Sequence, residues 1–322
     1  MTKKHVDKTP IKRQAWISRT MEVFGISETE AIRLLSTPRQ QSIRINPLRG
    51  DAKATLKELK DLGWKGESVA WCPNGYTITS DKQVVRDSEA VAEGRVFIQN
   101  AASWLPIVFL DPQPSETILD VCAAPGGKTS HIAAVTANGA HIWANDNSRA
   151  RLAKLQANLE RLDANVENYT LYDATMLARK LSNEQFDRIL LDAPCSGEGM
   201  MSLENPKDFS SWSVAQIKRL QQLQKRVITQ AWQLLKPGGT LVYSTCTMAP
   251  EEDEAVIDYL LRSTDDATII PIDLKLPNRV ATVKEWNGKM FAPATEGAMR
   301  LKPSLEIEAF FVCKLQKVGV TE

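Results

Sequence analysis

The stretch SETILDVCAAPGGKTSHIAAV, residues 115–135, reads as a strand, a small-residue turn and a helix. The rhythm repeats along the chain. AHIWANDNSRARLAKLQANLERL (140–162) is again strand then helix. VENYTLYDAT (166–175), FDRILLDAPC (186–195) and GGTLVYSTC (238–246) supply three more strands, separated by helical segments such as SVAQIKRLQQLQKRVITQAWQLL (213–235). Alternation at this spacing predicts a doubly wound α/β domain over residues 96–322, its mostly parallel sheet covered by helices on both faces. EIEAFFVCKL (306–315) adds a last strand, and KLPNRVATVKEWNGKMFAPATEG (275–297) reads as a long irregular insertion.

Upstream of residue 96 the pattern differs. IKRQAWISRTMEVFG and SETEAIRLLS are helical, the second with Ser27 and Glu30 in a capping-box pattern. SIRIN alternates like a strand, DAKATLKELKDLG is an amphipathic helix closed by Gly63, and short β-type pieces follow around SVAW and YTIT. These segments predict a small α+β domain over residues 1–95.

Composition bounds the rest. The 322 residues are 43% apolar and 25% charged, which fits a globular protein with material for a core. The longest apolar runs, such as IVFL, are too short to cross a bilayer. The start, MTKKHVDKTPIKR, has no apolar region of a secretory signal, so a cytoplasmic location is expected. Five cysteines (Cys72, Cys122, Cys195, Cys246 and Cys313) and three histidines show no metal-ligand spacing, and neither a zinc site nor a disulfide framework is expected. The net charge is only +1, yet residues 1–50 hold ten Lys/Arg against four Asp/Glu. That excess is either a solvated basic face or an arm that meets a polyanion.

Ligands of an open α/β sheet sit beyond the carboxyl ends of its strands. LDVCAAPGGKTS lies there, and Ala123, Ala124, Gly126 and Gly127 let backbone approach a ligand closely at a helix start. Asp146 ends the second strand, where a carboxylate accepts from ribose hydroxyls, and Asp173 ends the third, near where an adenine would lie. Each aspartate alone more often caps the next helix. Together with the loop they point to an adenosine-bearing cofactor. The first glycine of a Walker loop is missing, which disfavours an ATPase, and the absence of Gly-x-Gly-x-x-Gly disfavours a dehydrogenase.

Cys195 and Cys246 each stand just past a strand. If the strand order is the usual doubly wound one, the strands ending at Asp192 and Thr245 are neighbours, about 4.8 Å apart, and both thiols face the cofactor cleft. An isolated cysteine is usually packing. Two beside an adenosine cofactor suit covalent catalysis on a pyrimidine. A thiolate adding to C6 of cytosine makes C5 nucleophilic enough to take a methyl group, and a second group then helps strip the C5 proton and expel the thiolate. Asp192 can accept from the exocyclic amine, and Lys128 can supply positive charge to a thiol whose ordinary pKa is about 8.5.

DVCAAPGGKTSHIA, NDNSRARLAKLQANLERL, LLDAPCSGEGM and LVYSTCTMAPEEDEAV, in this order and spacing, resemble the successive motifs of the NSUN/RsmB-type (NOL1/NOP2/Sun) RNA cytosine-C5 methyltransferases, over roughly residues 40–315. SIRINPL resembles that family's Arg-x-Asn segment and EAFFVCKL its closing Phe-Phe strand. WCPNGY and FIQNAAS are most similar to the bacterial RsmF-like branch, which acts on small-subunit ribosomal RNA. The resemblance implies a Rossmann-like methyltransferase fold, S-adenosylmethionine as cofactor, and RNA as partner, ribosomal first and transfer RNA as the alternative. It also implies a catalytic unit without that branch's C-terminal RNA-binding region. Cys246 in the Thr-Cys motif is then the nucleophile and Cys195 in the Pro-Cys motif assists product release, an assignment the residues alone leave open. Asp192 and Lys128 match the base-contacting positions. The expected cofactor set is Cys122, Ala123, Ala124, Pro125, Gly126, Gly127, Lys128, Asp146, Arg151, Asp173 and Asp192. Cys72 and Cys313 are read as structural, and Cys122 as structural inside the end of the first strand while bordering the cofactor. Ser304 stands where many members have a histidine. The rival readings are a non-catalytic RNA-binding or ribosome-assembly factor on the same fold, and a methyltransferase acting on DNA or another atom. The intact acid, lysine and two-cysteine set argues against the first, and the Thr-Cys cysteine against the second.

Overall fold

The structure, a computed structural model, describes residues 9–319; the basic start MTKKHVDK lies outside the described residues. Helices α1 (Thr9–Phe24) and α2 (Glu28–Ser36) come first, and the predicted capping box opens α2: Ser27 accepts from the Glu30 amide and Glu30 reaches back to the Ser27 amide. Strand β1 (Ser42–Ile45) leads to α3 (Ala52–Asp61), β2 (Gly75–Thr77), the short helices α4 (Lys82–Arg86) and α5 (Glu89–Ala92), and β3 (Val96–Ile98). The three strands form an antiparallel sheet in the order β2-β1-β3. SVAW contributes only an isolated bridge, Ser68 to Tyr76.

Two features correct the predicted 1–95 domain. Val96 and Ile98 pair with Ile45 and Ile43, so the small sheet is completed beyond residue 95. Helices α1 and α2 do not pack on that sheet. Their apolar stripe, Trp16, Ile17, Ala31 and Leu35, is buried against Met201, Phe209, Trp212 and Met248. An amphipathic pattern shows that a helix needs a partner but not which one. The small sheet has its own core of Ile43, Ile45, Leu59, Trp64, Val85 and Val96.

Helix α6 (Leu105–Leu110) enters the second sheet: β4 (Thr117–Asp120), α7 (Gly127–Val135), β5 (His141–Asn145), α8 (Arg149–Arg161), β6 (Asn168–Thr170), α9 (Leu177–Lys180), β7 (Phe186–Asp192), α10 (Val214–Leu234) and β8 (Leu235–Thr245). Next come α11 (Glu254–Ser263), β9 (Ala267–Ile270), β10 (Arg279–Val280), the hairpin β11 (Glu285–Trp286) and β12 (Lys289–Met290), β13 (Met299–Leu301) and β14 (Phe310–Lys317). The stretch read as an irregular insertion thus carries β10 and a two-stranded hairpin.

The parallel strands lie in the order β6-β5-β4-β7-β8, with β14 antiparallel beside β8. The order reverses between β4 and β7, the switch point where an open sheet gapes. Side chains alternate between two faces. Ile118, Ile142, Leu190 and Val242 face a core with Ile132, Leu155 and Leu159 from α7 and α8. Leu119, Ile189, Leu191 and Leu241 face Val227, Ile228 and Ala231 of α10, and Val256 and Ile257 of α11. The small sheet is fastened to this frame. Asn46 Nδ2 donates to the carbonyls of Gly94 and Leu162, and Arg44 donates to Ser130 Oγ at 2.9 Å. Gly94, at φ +77°, leaves no room for a side chain: a Cβ there would come within 2.0 Å of the Arg161 carbonyl oxygen.

Candidate active site

Adjacent parallel strands deliver the reactive groups. Asp192 and Ser244 are paired in register at the carboxyl ends of β7 and β8. Cys195 and Cys246 follow at once, and their Sγ atoms lie 3.4 Å apart. The predicted neighbour relation of the two strands is therefore present. One residue beyond each thiol, Ser196 Oγ and Thr247 Oγ1 share a 2.7 Å hydrogen bond. The Gly199 amide donates to the Cys246 carbonyl at 2.9 Å. A Cβ on Gly199 would come within 2.2 Å of the Ala309 carbonyl oxygen, so this loop presses on the segment before β14.

Buried carboxylates fix both loops. Glu252 accepts from the Ser196 amide at 2.9 Å and from Gln224 Nε2 at 2.8 Å. Glu198 accepts from Trp212 Nε1 and Thr247 Oγ1. Arg300, 1% exposed, holds the buried Asp253 and Glu254 at 2.9 and 2.5 Å. Burial pushes the Glu252 carboxyl up to about 7 and Asp253 well above the usual carboxylate range. From sequence, EEDE (251–254) is merely acidic. The hydrophobic neighbours Ala255, Val256 and Ile257 were the available hint that this run enters the interior.

The two thiols differ in environment. The hydrogen bond to Cys246 raises the Cys195 thiol well above its ordinary pKa, helped by burial and by Cys246, Glu252 and Asp192. Lys128, in the first turn of α7, donates to Asp192 Oδ2 at 2.6 Å, while Ser244 Oγ donates to Asp192 Oδ1 at 2.7 Å. Burial opposes the lysine charge, yet Asp192, with Cys246 and Asp120 beyond it, raises its pKa.

A cavity of about 370 Å³ runs from this pair along the β4–α7 loop, walled by Phe97, Gln99, Asn100, Asp120, Cys122 to Pro125 and Gly127. Gly127 lies close under two side chains: a Cβ there would come within 2.9 Å of Gln99 Nε2 and 3.0 Å of Phe97. Asp120 Oδ2 accepts from Thr129, but Oδ1 is buried without a partner. Burial drives this carboxyl up to about 7 and the neighbouring Cys122 thiol far above its usual value. A close-approach loop at a helix N-terminus, an unsatisfied carboxylate and a second buried aspartate at the end of β5 fit a nucleoside with a charged amino-acid tail.

The remaining predicted residues are placed as follows. Asp146, 3% exposed, accepts from the Ser148 amide and sits 3.1 Å from Arg151. Arg151 also donates to the Ala124 carbonyl, and Ala124–Pro125 is a cis peptide. Gly126 adopts φ +104° and starts α7. Asp173 caps the turn after β6, accepting from the Thr175 amide and hydroxyl. Cys72 and Cys313 are buried. Ser304 closes a turn, accepting from the Ile307 amide at 3.1 Å. Among the described residues no group of three or more His, Cys, Asp or Glu is arranged to hold a metal, and no helix is long and apolar enough to cross a membrane.

Sequence models give this arrangement its relatives. That of 16S rRNA methyltransferase RsmB/F matches residues 107–316, and that of the N-terminal domain of 16S rRNA methyltransferase RsmF matches residues 13–101. The chain is 39% identical to the tRNA (cytosine(49)-C(5))-methyltransferase of Pyrococcus abyssi, over 88% of this chain and 90% of that one. It is 34% identical to ribosomal RNA small subunit methyltransferase F of Cronobacter sakazakii, over 92% of this chain but only 61% of the relative, so it spans about three fifths of such bacterial proteins. A solved methyltransferase homolog from Pyrococcus horikoshii superposes with a TM-score of 0.76 at 31% identity, covering 94% of this chain and 99% of that one. The chain belongs to the RsmB/F family of RNA cytosine-C5 methyltransferases, whose cofactor is S-adenosylmethionine.

Proposed function

We propose that this protein forms 5-methylcytosine in RNA through a covalent adduct between Cys246 and C6 of the target base. The observation that carries the reading is the 3.4 Å approach of Cys195 to Cys246 beside the Lys128–Asp192 pair. A lone structural cysteine needs no such surroundings. Cys246 acts as the thiolate, with Lys128 supplying nearby positive charge. Adding it to C6 places negative charge on the ring, and C5 becomes the nucleophile. S-Adenosylmethionine supplies the methyl group, as a sulfonium. The loop of residues 122–127, Asp146, Arg151 and Asp173 hold that cofactor, and Asp192 contacts the base with Lys128. In the release step the C5 proton passes to a basic group beside the adduct as the C6–S bond breaks, which expels the Cys246 thiolate and restores aromaticity; Cys195 assists this step. The base must be unpaired or flipped to reach the cavity.

The substrate proposed first is small-subunit ribosomal RNA, because the two 16S models together span residues 13–316. Transfer RNA is the second reading, favoured by the higher identity and near-complete coverage of the archaeal relative. The N-terminal region, with its excess of Lys and Arg over residues 1–50, helps hold RNA, in the cytoplasm. Bisulfite mapping of RNA from cells lacking the protein identifies the target. The mechanism is tested by mixing Cys195→Ala protein with S-adenosylmethionine and unmodified RNA. A denaturant-resistant adduct that disappears in the Cys195→Ala/Cys246→Ala protein is expected. Failure to form any adduct, with no methyl transfer by the unaltered protein, would favour a binding factor.

A further inference from the structure

Helix α7 runs past two cavities. Gly127 and Lys128, in its first turn, line the one described above, whereas His131, Ala134 and Val135 line a second of about 420 Å³ between α7, α6 and the small sheet. The spacing of Gly127, His131 and Ala134 puts them on one face of the helix. Most of the second cavity's walls are apolar, among them Ile107 and Val108 of α6 and Trp71, and its volume is in the range of small-molecule sites. Arg44 of β1 lines it too, although it is only 2% exposed.

A buried cation ordinarily has an anionic partner. Among the described residues Arg44 has none. Its hydrogen bonds come from Nη2, to Ser130 Oγ at 2.9 Å and to the Gly127 carbonyl at 3.4 Å, and Nε is buried without a partner. Phe97 lies to one side, its ring centroid 6.0 Å from the guanidinium carbon. Fastening the small sheet to α7 uses that one nitrogen and requires no charge. Yet burial, which lowers the guanidinium to about 10, leaves it charged at neutral pH. His131, 3% exposed and in the same lining, likewise has Nδ1 buried without a partner, and burial, then Arg44, keep its imidazole neutral. The other charged residue of the lining is Asp111, which is exposed and accepts from Gln113 Nε2 rather than pairing with Arg44.

We infer that this second cavity binds a small monoanionic carboxylic acid with an aromatic or branched apolar body, its carboxylate accepting from Arg44 and His131. The apolar walls cover the body and keep water from the carboxylate, where charge-assisted hydrogen bonds are strong. Inorganic phosphate suits the lining less, because it brings up to two charges to a single cation and has no apolar surface to cover. The site is separate from the cavity of the cofactor and the thiols, and it holds whichever base or RNA the protein methylates.

The test uses the full chain saturated with S-adenosylmethionine, so that the first cavity is filled, and phenylacetate as the probe. Calorimetric titration should show saturable binding, about tenfold or more tighter than that of phenylacetamide, the size of one charge-assisted hydrogen bond. Acetate and inorganic phosphate, which lack the apolar body, should bind more weakly than phenylacetate. Ala134→Leu puts a larger side chain into the cavity and leaves Arg44 in place. It should weaken phenylacetate binding about tenfold or more, with S-adenosylmethionine affinity unchanged as the check on the fold. Arg44→Met should bind phenylacetate no better than phenylacetamide; if that protein does not fold, Ala134→Leu decides alone. Absence of saturable phenylacetate binding, phosphate binding as tight as phenylacetate, or phenylacetate binding that Ala134→Leu leaves intact would each overturn the inference.

Discussion

The Cys195 and Cys246 thiols stand 3.4 Å apart at the ends of adjacent parallel strands. A disulfide needs about 2.05 Å, so a small movement of two loop side chains joins them. Stoichiometric diamide is expected to abolish methyl transfer, lower the mass by about 2 Da, and be reversed by dithiothreitol. Cys195→Ser protein should show no intramolecular cross-link. An unchanged mass in the unaltered protein after diamide would mean that the loops hold the thiols apart.

Gly199 is sterically constrained rather than conformationally special. The Cβ of Gly199→Ala would meet the Ala309 carbonyl at 2.2 Å and that of Cys246 at 2.9 Å, both backbone atoms that cannot swing aside. Displacing the Cys195 loop should lower kcat at least tenfold and destabilise the fold by about 1–3 kcal/mol in urea titration, the usual range for overpacking. Unaltered kcat would show that the loop adapts.

Arg300 faces two carboxylates that are fully buried. Replacing it by methionine leaves them without a cation, and loss of one partner from a buried pair costs about 3–5 kcal/mol. Arg300→Met should therefore show a lowered urea midpoint with an unchanged m-value. Asp253→Asn in the same background should recover part of the loss.

Asp146 is 3% exposed and directly follows β5. If it accepts from the ribose hydroxyls, Asp146→Ala removes charge-assisted hydrogen bonds worth about 1.5–3 kcal/mol each, so S-adenosylmethionine affinity should fall at least tenfold by calorimetry. RNA binding without cofactor should be unaffected.

Asp120 gives a pH signature of the free protein. Burial first, then the charge of Asp192, raise its pKa from the usual 3.8 to about 7, against Thr129, Lys128 and a backbone amide. Between these values the folded state holds a proton that the unfolded state has released. Stability therefore falls as pH rises from about 4 to about 7, and this contribution is flat above that. Urea titrations across this window should show Asp120→Asn losing less stability than the unaltered protein. Parallel curves would indicate an aspartate ionised throughout.

The sequence by itself determined the architecture of the catalytic sheet and brought Cys195, Cys246, Asp192 and Lys128 to one end of it. Strand–helix alternation is local, because side-chain period and turn chemistry are written in neighbouring residues. Cys195, Cys246, Asp192 and Lys128 were legible because each follows or begins a predicted element at the end of the sheet where ligands bind. Tertiary structure alone decided what those groups touch. The burial of Glu252, Asp253 and Glu254 depends on Gln224, Ser196 and Arg300, none of them near in sequence. The packing of α1 and α2 on the Met201–Trp212 segment, and the approach of Cys195 to Cys246 across 51 positions, have the same origin. A hydrophobic stripe or a lone carboxyl records that it requires a partner. Which partner it finds is settled only when the chain closes and the desolvation of each polar group must be met by whatever the fold brings beside it.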